Sequence, residues 1–422
     1  MKGMYEKHHT KRYMKIIQIN STLKSGSTGK LMYQIHEYLD QNNINNKIIF
    51  AYGDKKDLCG YKIYNFFSVH IHSYLSRKFS MQGKCSWLET LRVLRFLKRE
   101  KPSIIHLHNI HGHYLNYKIL FWYINKNNIP VVWTFHDCWP YTGKCSHYAS
   151  VNCEKWKTGC YQCDNLECYP DSTFDGSSRD YYIKKQCFTS TQKLNIVCNS
   201  DWLKSQVEES FFKGKKIKRI YNGVDNSVFK PTINKECYKK YKININKKII
   251  IGVSSVWKAQ KGLDTFIKLA KKLDESYQII MVGINNEQKK ILPENIISIS
   301  KTEDMQELAE LYSVSMVCLN ASTEETFGMV TVEAMACGTP VIVSNTTACP
   351  EVVDKRTGIV VDMNKIEDII SAIDLIRKKG KDYYKSECIK KVSENFTILT
   401  MCKKYYELYN EIIRQEKGEE NV

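Results

Sequence analysis

The sequence predicts an α/β protein built from two Rossmann-like domains with a cleft between them. Three observations carry this. Short apolar runs rich in Ile and Val alternate with helical patterns, as strands buried on both faces of a parallel sheet require. The alternation lapses once, around 225–247, and then restarts. The length of 422 residues suits two or three domains at about 100–200 residues each.

The first half opens with a strand at 14–20, "MKIIQIN", and a helix from 29 to 41. A strand at 45–52 leads to helical stretches near 66–79 and 86–100. Strands follow at 103–109, 131–137, 195–200 and 216–224, with helical patterns between them. The segment "DNSVFKPTINKECYKKYKININKK" has no apolar period and is the expected linker. Strands then restart at 249–256, 277–284, 295–300, 315–322, 340–345 and 358–363. From 366 onward the pattern is helical. The expected domains are 1–235, with a cysteine-rich insertion at 138–170, and 236–400. A C-terminal helix over 401–422 is expected to cross back toward the first domain.

Composition narrows the function. Lys and Arg number 63 against 45 Asp and Glu, a net charge of +18. That favours anionic partners such as nucleotides, nucleic acid or an acidic membrane face, or marks a lysine-rich solvated surface. No run approaches the about 18 apolar residues of a membrane span. The start, "MKGMYEKHHTKRY", is polar and basic with no apolar h-region, so Met14 is a candidate start and the cytoplasm the expected location.

In open parallel sheets ligands bind beyond the carboxyl ends of the strands, so the loops there carry the chemistry. The most informative is "STEETFGMVTVEAMACGTPVIVSN" (322–345). A strand ends, a glycine-containing loop follows, and a helix starts near Met329. Amides of Phe327, Gly328 and Met329 at such a start form an anion site. Glu325 and Glu333 flank it, and carboxylates accept hydrogen bonds from hydroxyls. The pattern fits a ligand with both phosphates and hydroxyls. It fits equally an exposed helix glutamate and a favourable charge at a helix start.

"SGSTGK" (25–30) also sits between a strand and a helix. A phosphate-binding P-loop needs Gly at 24 and Ser or Thr at 31, where this chain has Lys24 and Leu31. ATP hydrolysis by a P-loop kinase is therefore not expected, but Gly26 and Gly29 still let backbone approach a phosphate. "HLHNIHGHYLN" brings His106, His108, His111 and His113 together, a set that suits a metal or a polar cleft. "TFHD" places His136 and Asp137 at the end of a buried strand. In the cysteine segment, Cys160 and Cys163 have the spacing of half a zinc site. Cys145 and Cys153 could complete a structural site of four thiolates, with Cys168 as a competing ligand and Cys138 packing at the strand end. Free or redox-linked thiols are the alternative. "LRVLRFLKREK" (91–101) and "KGKKIKR" (213–219) are basic stretches that could dock on an anionic membrane or be solvated faces.

The Glu-x7-Glu arrangement with "EAMACGTPVI", "IYNGVDNSVFKP" (220–231) and "GVSSVWKAQKGLDTF" (252–266) resemble, in order, the retaining GT-B glycosyltransferases of family 4. The cysteine insertion resembles that of a subgroup in bacterial capsule, exopolysaccharide and O-antigen assembly that carries "WKTGC". The resemblance implies the GT-B fold, two Rossmann-like domains facing each other across a cleft. It implies that Glu333 binds donor ribose hydroxyls, Glu325 the transferred sugar, and the 327–329 amides sugar and phosphates. Lys261 would neutralise the diphosphate leaving group. Lys258 would stand in for an arginine that the family often places nearby. His136 would lie beside the donor sugar, and Gly26 to Gly29 would close over the leaving group. No catalytic metal is implied, and the histidine-rich stretch becomes cleft and acceptor-side residues. The implied activity is retaining transfer of a sugar from a nucleotide diphosphate sugar, expected to be a UDP-sugar, to a growing lipid-linked glycan at the membrane face. Rival readings are a nucleotide-sugar 2-epimerase of the same fold, which lacks the Glu-x7-Glu arrangement, and a basic nucleic-acid binder. The latter lacks any aromatic-interleaved basic motif, so no nucleic-acid partner is expected.

Overall fold

The computed structural model describes residues 14–53, 60–232 and 236–418. The polar N-terminal stretch with its candidate start signals lies outside them, apart from Met14. The chain divides into two compact units: unit 1 comprises Met1–Ile220 and Met401–Val422, and unit 2 comprises Tyr221–Thr400.

Unit 1 holds a seven-stranded parallel sheet. Its strands are β1 (Lys15–Thr22), β2 (Asn45–Tyr52), β3 (Gly60–Lys62), β4 (Ile104–Leu107), β5 (Val131–Phe135), β6 (Leu194–Cys198) and β7 (Lys216–Arg219). Their order is β3-β2-β1-β4-β5-β6-β7. Unit 2 holds β8 (Lys248–Val253), β9 (Tyr277–Val282), β10 (Ile296–Ile299), β11 (Val317–Asn320), β12 (Val341–Ser344) and β13 (Gly358–Val361). All are parallel, in the order β10-β9-β8-β11-β12-β13. Both sheets thus start in the middle, build outward, then reverse. Both are doubly wound, with switch points between β1 and β4 and between β8 and β11, where such folds bind ligands.

The central strands are buried on both faces, as their apolar runs require: Ile16, Ile17 and Ile19 in β1 and Ile249, Ile250 and Ile251 in β8 are all inaccessible or nearly so. The sequence did not anticipate β3, whose three residues are too few to show a period. The expected linker is the larger correction. Residues 221–232 belong to unit 2, where Val224 bridges Thr397, and Phe229, Cys237 and Ile243 enter the second core. Four scattered apolar residues anchor a segment without needing a helical or strand period.

The C-terminal helix Ile398–Glu416 buries Met401, Tyr405, Tyr409 and Ile412 in unit 1. Tyr409 Oη lies 2.6 Å from His106 Nδ1, and Tyr405 Oη lies 2.9 Å from Thr134 Oγ1. Lys193 and Lys218 pair with Glu416 and Glu411 at its solvent edge. Among the described residues no helix is long and apolar enough to cross a membrane.

Candidate functional site

In unit 2 the loops after β8 and β11 meet at the switch point. Gly262 opens the helix Leu263–Lys272 with φ +78°, and a Cβ there would stand 2.4 Å from the Ala321 Cβ. Only glycine lets the first loop pass so close to the end of β11. Thr323 N–H donates to the Gln260 carbonyl at 2.9 Å and ties the loops together. Lys261 is thereby aimed at the second loop. Its Nζ lies 2.6 Å from Glu325 Oε1 and 3.3 Å from Ser322 Oγ. Glu325 is fixed at its backbone: its N–H donates to Thr347 Oγ1 at 3.0 Å and its carbonyl accepts from Ala348 N–H. The Lys261 and Glu325 side chains keep 35% and 20% exposure, so both remain open to a ligand.

The helix Met329–Ala336 follows, started by Gly328 at φ +92° with no side-chain cap. Its start is therefore a locus of partial positive charge beside the Lys261–Glu325 pair. Phe327 supplies only backbone here, because its side chain is buried against Tyr221 and Phe396. Glu333 lies one turn inside the helix, half-buried, and Tyr312 Oη donates to its Oε2 at 3.2 Å. Burial holds the Tyr312 phenol protonated, well above its usual range, so it orients the carboxylate as a donor. Lys258 stands exposed on the β8 loop. The structure therefore joins Lys261 and Glu325 directly, places Gly328 and Met329 beside them, and leaves Lys258 at the rim. Ser322, Thr347 and Tyr312 are supporting residues that no sequence spacing indicated.

In unit 1 the carboxyl ends of β1, β4 and β5 carry a chain of imidazoles. His136 Nε2 lies 3.0 Å from His108 Nδ1, and His108 Nε2 lies 3.2 Å from Gln18 Oε1. His111 Nε2 lies 2.9 Å from Asp137 Oδ2, while Asp137 Oδ1 accepts from Trp139 N–H at 2.9 Å. Burial pushes His136 down to about 4 and His106 to about 3, and pushes His108 well below its usual value. These rings are neutral at pH 7. Burial alone would raise the Asp137 carboxyl, but the His111 charge and hydrogen bond hold it below the usual range. Gln18, as placed, accepts from His108, so His108 accepts from His136 and fixes the His136 proton on Nε2. His106 corrects an expectation: it is fully buried beneath Tyr405 and Tyr409 rather than lining a cleft. Gly26 begins the helix Gly26–Gln41 directly after β1, three residues earlier than the sequence period shows, and Gly29 is buried in its first turn.

The buried neutral histidines make stability pH-dependent. Their folded pKa values lie below the unfolded value, so the unfolded chain binds more protons as pH falls and stability is lost from about pH 6.5 toward 4. His72 at about 3 and His113 at about 4, both lowered chiefly by burial, add to the effect. The melting temperature is expected to fall continuously over that window. A flat profile from pH 6.5 to 4.5 would contradict neutral burial.

Cys145, Cys153, Cys160 and Cys163 line one cavity of about 180 Å³, and all are free thiols. A hydrogen bond from Cys145 lowers the Cys163 thiol below its usual range, and Gly143 N–H donates to Cys160 Sγ at 3.1 Å. Cys138 is buried in the core. Among the described residues, no three His, Cys, Asp or Glu side chains stand as a metal-ligand group, in this segment or among the histidines.

Residues 28–228 match the family model described as Glycosyltransferase Family 4, and residues 235–391 match that described as Glycosyl transferases group 1. The chain is 21% identical over 373 residues to the putative colanic acid biosynthesis glycosyl transferase WcaC of Escherichia coli, covering 85% of this chain and 89% of that protein. It is 27% identical over 199 residues to the O-antigen chain mannosyltransferase RfbU of Salmonella typhimurium, covering 44% of this chain and 50% of that protein. Anabaena Alr3699/HepE, solved in complex with UDP, superposes with a TM-score of 0.63 at 14% identity over 94% of this chain and all of that one.

Proposed function

The chain is a glycosyltransferase of the GT-B fold and family-4-like kind, and we propose that it transfers a hexose, with retention, from a UDP-sugar to a growing lipid-linked surface polysaccharide. The observation that carries the donor half is the Lys261–Glu325 pair at the unit 2 switch point, beside a helix start. A cation and helix amides suit a diphosphate, and a carboxylate at their edge suits sugar hydroxyls. Glu333, oriented by Tyr312, is suited to ribose hydroxyls. Polysaccharide assembly is supported by the names of the colanic acid and O-antigen relatives, and the uridine nucleotide by the HepE complex.

Chemically, the glycosidic bond to the donor phosphate breaks and charge builds on the diphosphate. Lys261 and the amides at Gly328 and Met329 oppose that charge as it grows. Attack from the leaving-group face, with the phosphate accepting the acceptor's proton, is proposed on the family resemblance alone. The role of His136 rests on the family resemblance. Transfer is proposed to need no metal on the same ground.

A thermal-shift panel of nucleotide sugars tests the reading. One donor is expected to stabilise the wild type, and less so Glu325→Ala; equal stabilisation of both would count against the assignment. Anomeric NMR of the product is expected to show retention, and inversion would refute the mechanism.

Structural zinc in the cysteine segment is a separate part of the proposal, supported by four thiols around one cavity, which must close on the ion to bind it. Protein purified without chelators is expected to carry about one zinc per chain, and less than about half an equivalent overturns this part.

A further inference from the structure

The helix Phe66–Phe79 is inside out. A surface helix ordinarily buries its apolar stripe and solvates its polar one. Here the buried side chains are His72 and Ser76. Phe66, Phe67, Ile71 and Tyr74 are exposed by 56%, 76%, 60% and 60%. The inversion is held by specific bonds. His72 Nδ1 lies 2.8 Å from Ser86 Oγ, and His72 Nε2 accepts from Gly83 N–H at 3.1 Å. Ser68 Oγ donates to Glu89 Oε2 at 2.7 Å. The polar face is thereby locked onto the turn before the helix Trp87–Glu100, and the apolar face is locked outward.

The same bonds set the start of the second helix beside the first. Trp87 and Leu88 there are exposed by 58% and 69%. Six large apolar side chains are thus exposed on two helices that these bonds hold together, a concentration that marks an interaction surface. The sequence offered two basic stretches, 91–101 and 213–219, as docking surfaces or solvated faces. The first turns Val93, Leu94, Phe96 and Leu97 into the core, so it has cations but little apolar surface left to offer a membrane. In the other basic stretch, Lys215 is held by the Thr189 and Thr191 carbonyls, Lys218 by Glu411 and Arg219 by Asp201.

Charge identifies the occupant. The first helix has no Asp or Glu. The second has Glu89 and Glu100, both buried. The exposed charges of the two helices are cations, among them Lys78, Arg92, Arg95 and Lys98. Arg77 is engaged by Asp171 at the edge, at 3.3 Å. Two copies meeting face to face would bring like charges together. An anionic bilayer offers phosphates to the cations and acyl chains to the rings, with Trp and Tyr suited to the headgroup level.

We propose that the outward face of Phe66–Phe79, with Trp87 and Leu88, docks this protein onto an anionic phospholipid surface. The inference deepens the reading of a lipid-linked acceptor and rests on it for its purpose. Its test needs neither donor, acceptor nor turnover, so either can fail without the other. The full chain is floated with phosphatidylglycerol–phosphatidylcholine vesicles and with pure phosphatidylcholine vesicles. Wild type is expected to bind the mixed vesicles, more weakly at high salt, and to bind pure phosphatidylcholine poorly. The double variant Phe67→Ser with Ile71→Ser is expected to keep its melting temperature, because both side chains are exposed. Its binding is expected to fall by about tenfold or more. Arg92→Ser with Arg95→Ser is expected to reduce binding and its salt dependence together. Wild type that ignores both vesicles, or a folded Phe67/Ile71 variant that binds as wild type does, overturns the proposal. Concentration-dependent dimerisation that this variant abolishes, without vesicle binding by the wild type, assigns the face to a second copy instead.

Discussion

Lys261→Ala is expected to lower the rate of sugar transfer by about 10²–10³-fold while leaving the protein folded. The size follows from where the charge appears. Lys261 points from the β8 loop into the end of the β11 loop, where it meets Glu325 at 2.6 Å. A bound diphosphate gains negative charge as its bond to the sugar breaks, and a positioned ammonium opposes that charge most strongly in the transition state. The fold should tolerate the change, because both partners are partly exposed and such pairs contribute at most about 1 kcal/mol to stability. The measurement is kcat beside the melting temperature. A loss of rate below about threefold with an intact fold would remove Lys261 from the mechanism, since that is under 1 kcal/mol of barrier.

Gly262→Ala is expected to be the most damaging one-carbon change near the site, costing about 2–5 kcal/mol of stability from left-handed backbone strain and overpacking. At φ +78° a side chain is disfavoured whatever the space around it. Here the space is absent too: the new Cβ would stand 2.4 Å from the Ala321 Cβ and 2.8 Å from the Ala321 carbonyl oxygen. Both neighbours are atoms of Ala321, the residue directly after β11, so neither is a flexible tip that can move aside. Relief must come from the loop, and that displaces Lys261. Denaturant unfolding is the check, with donor binding measured on the folded fraction. A variant as stable as wild type that still binds donor would show that the two loops are not held as closely as described.

Much of the fold was legible because its signals are local. Apolar runs of about six residues mark β1 and β8, and their alternation with helices dictates parallel sheets. The donor loop was legible for the same reason: Glu325, Gly328 and Glu333 lie within one strand-loop-helix passage. What escaped was set by partners far apart in the chain. Tyr312 orients Glu333 from another helix, and Gln18 reaches His108 across 90 residues. The histidines were visible as a group, but only burial shows that His108 and His136 are neutral rings joined by a hydrogen bond. The helix at 66–79 was visible as a period, yet a period does not say which face turns inward. His72 faces inward because Gly83 and Ser86 lie close enough to bond it, as Glu89 bonds Ser68 on the same face, and the sequence alone does not show that proximity.

The Lys261–Glu325 pair gives the central claim a direct test. Before donor binds, Glu325 neutralises Lys261, so it competes with a diphosphate while offering hydrogen bonds to a sugar. Calorimetric titration of UDP and of the best-stabilising UDP-sugar into wild type, Lys261→Ala and Glu325→Ala separates these roles. Lys261→Ala is expected to weaken both ligands by about tenfold or more, the value of a charge-assisted contact. Glu325→Ala is expected to weaken the UDP-sugar while leaving UDP as tight or tighter. If neither ligand binds the wild type, or both bind all three proteins equally, the donor site is not here.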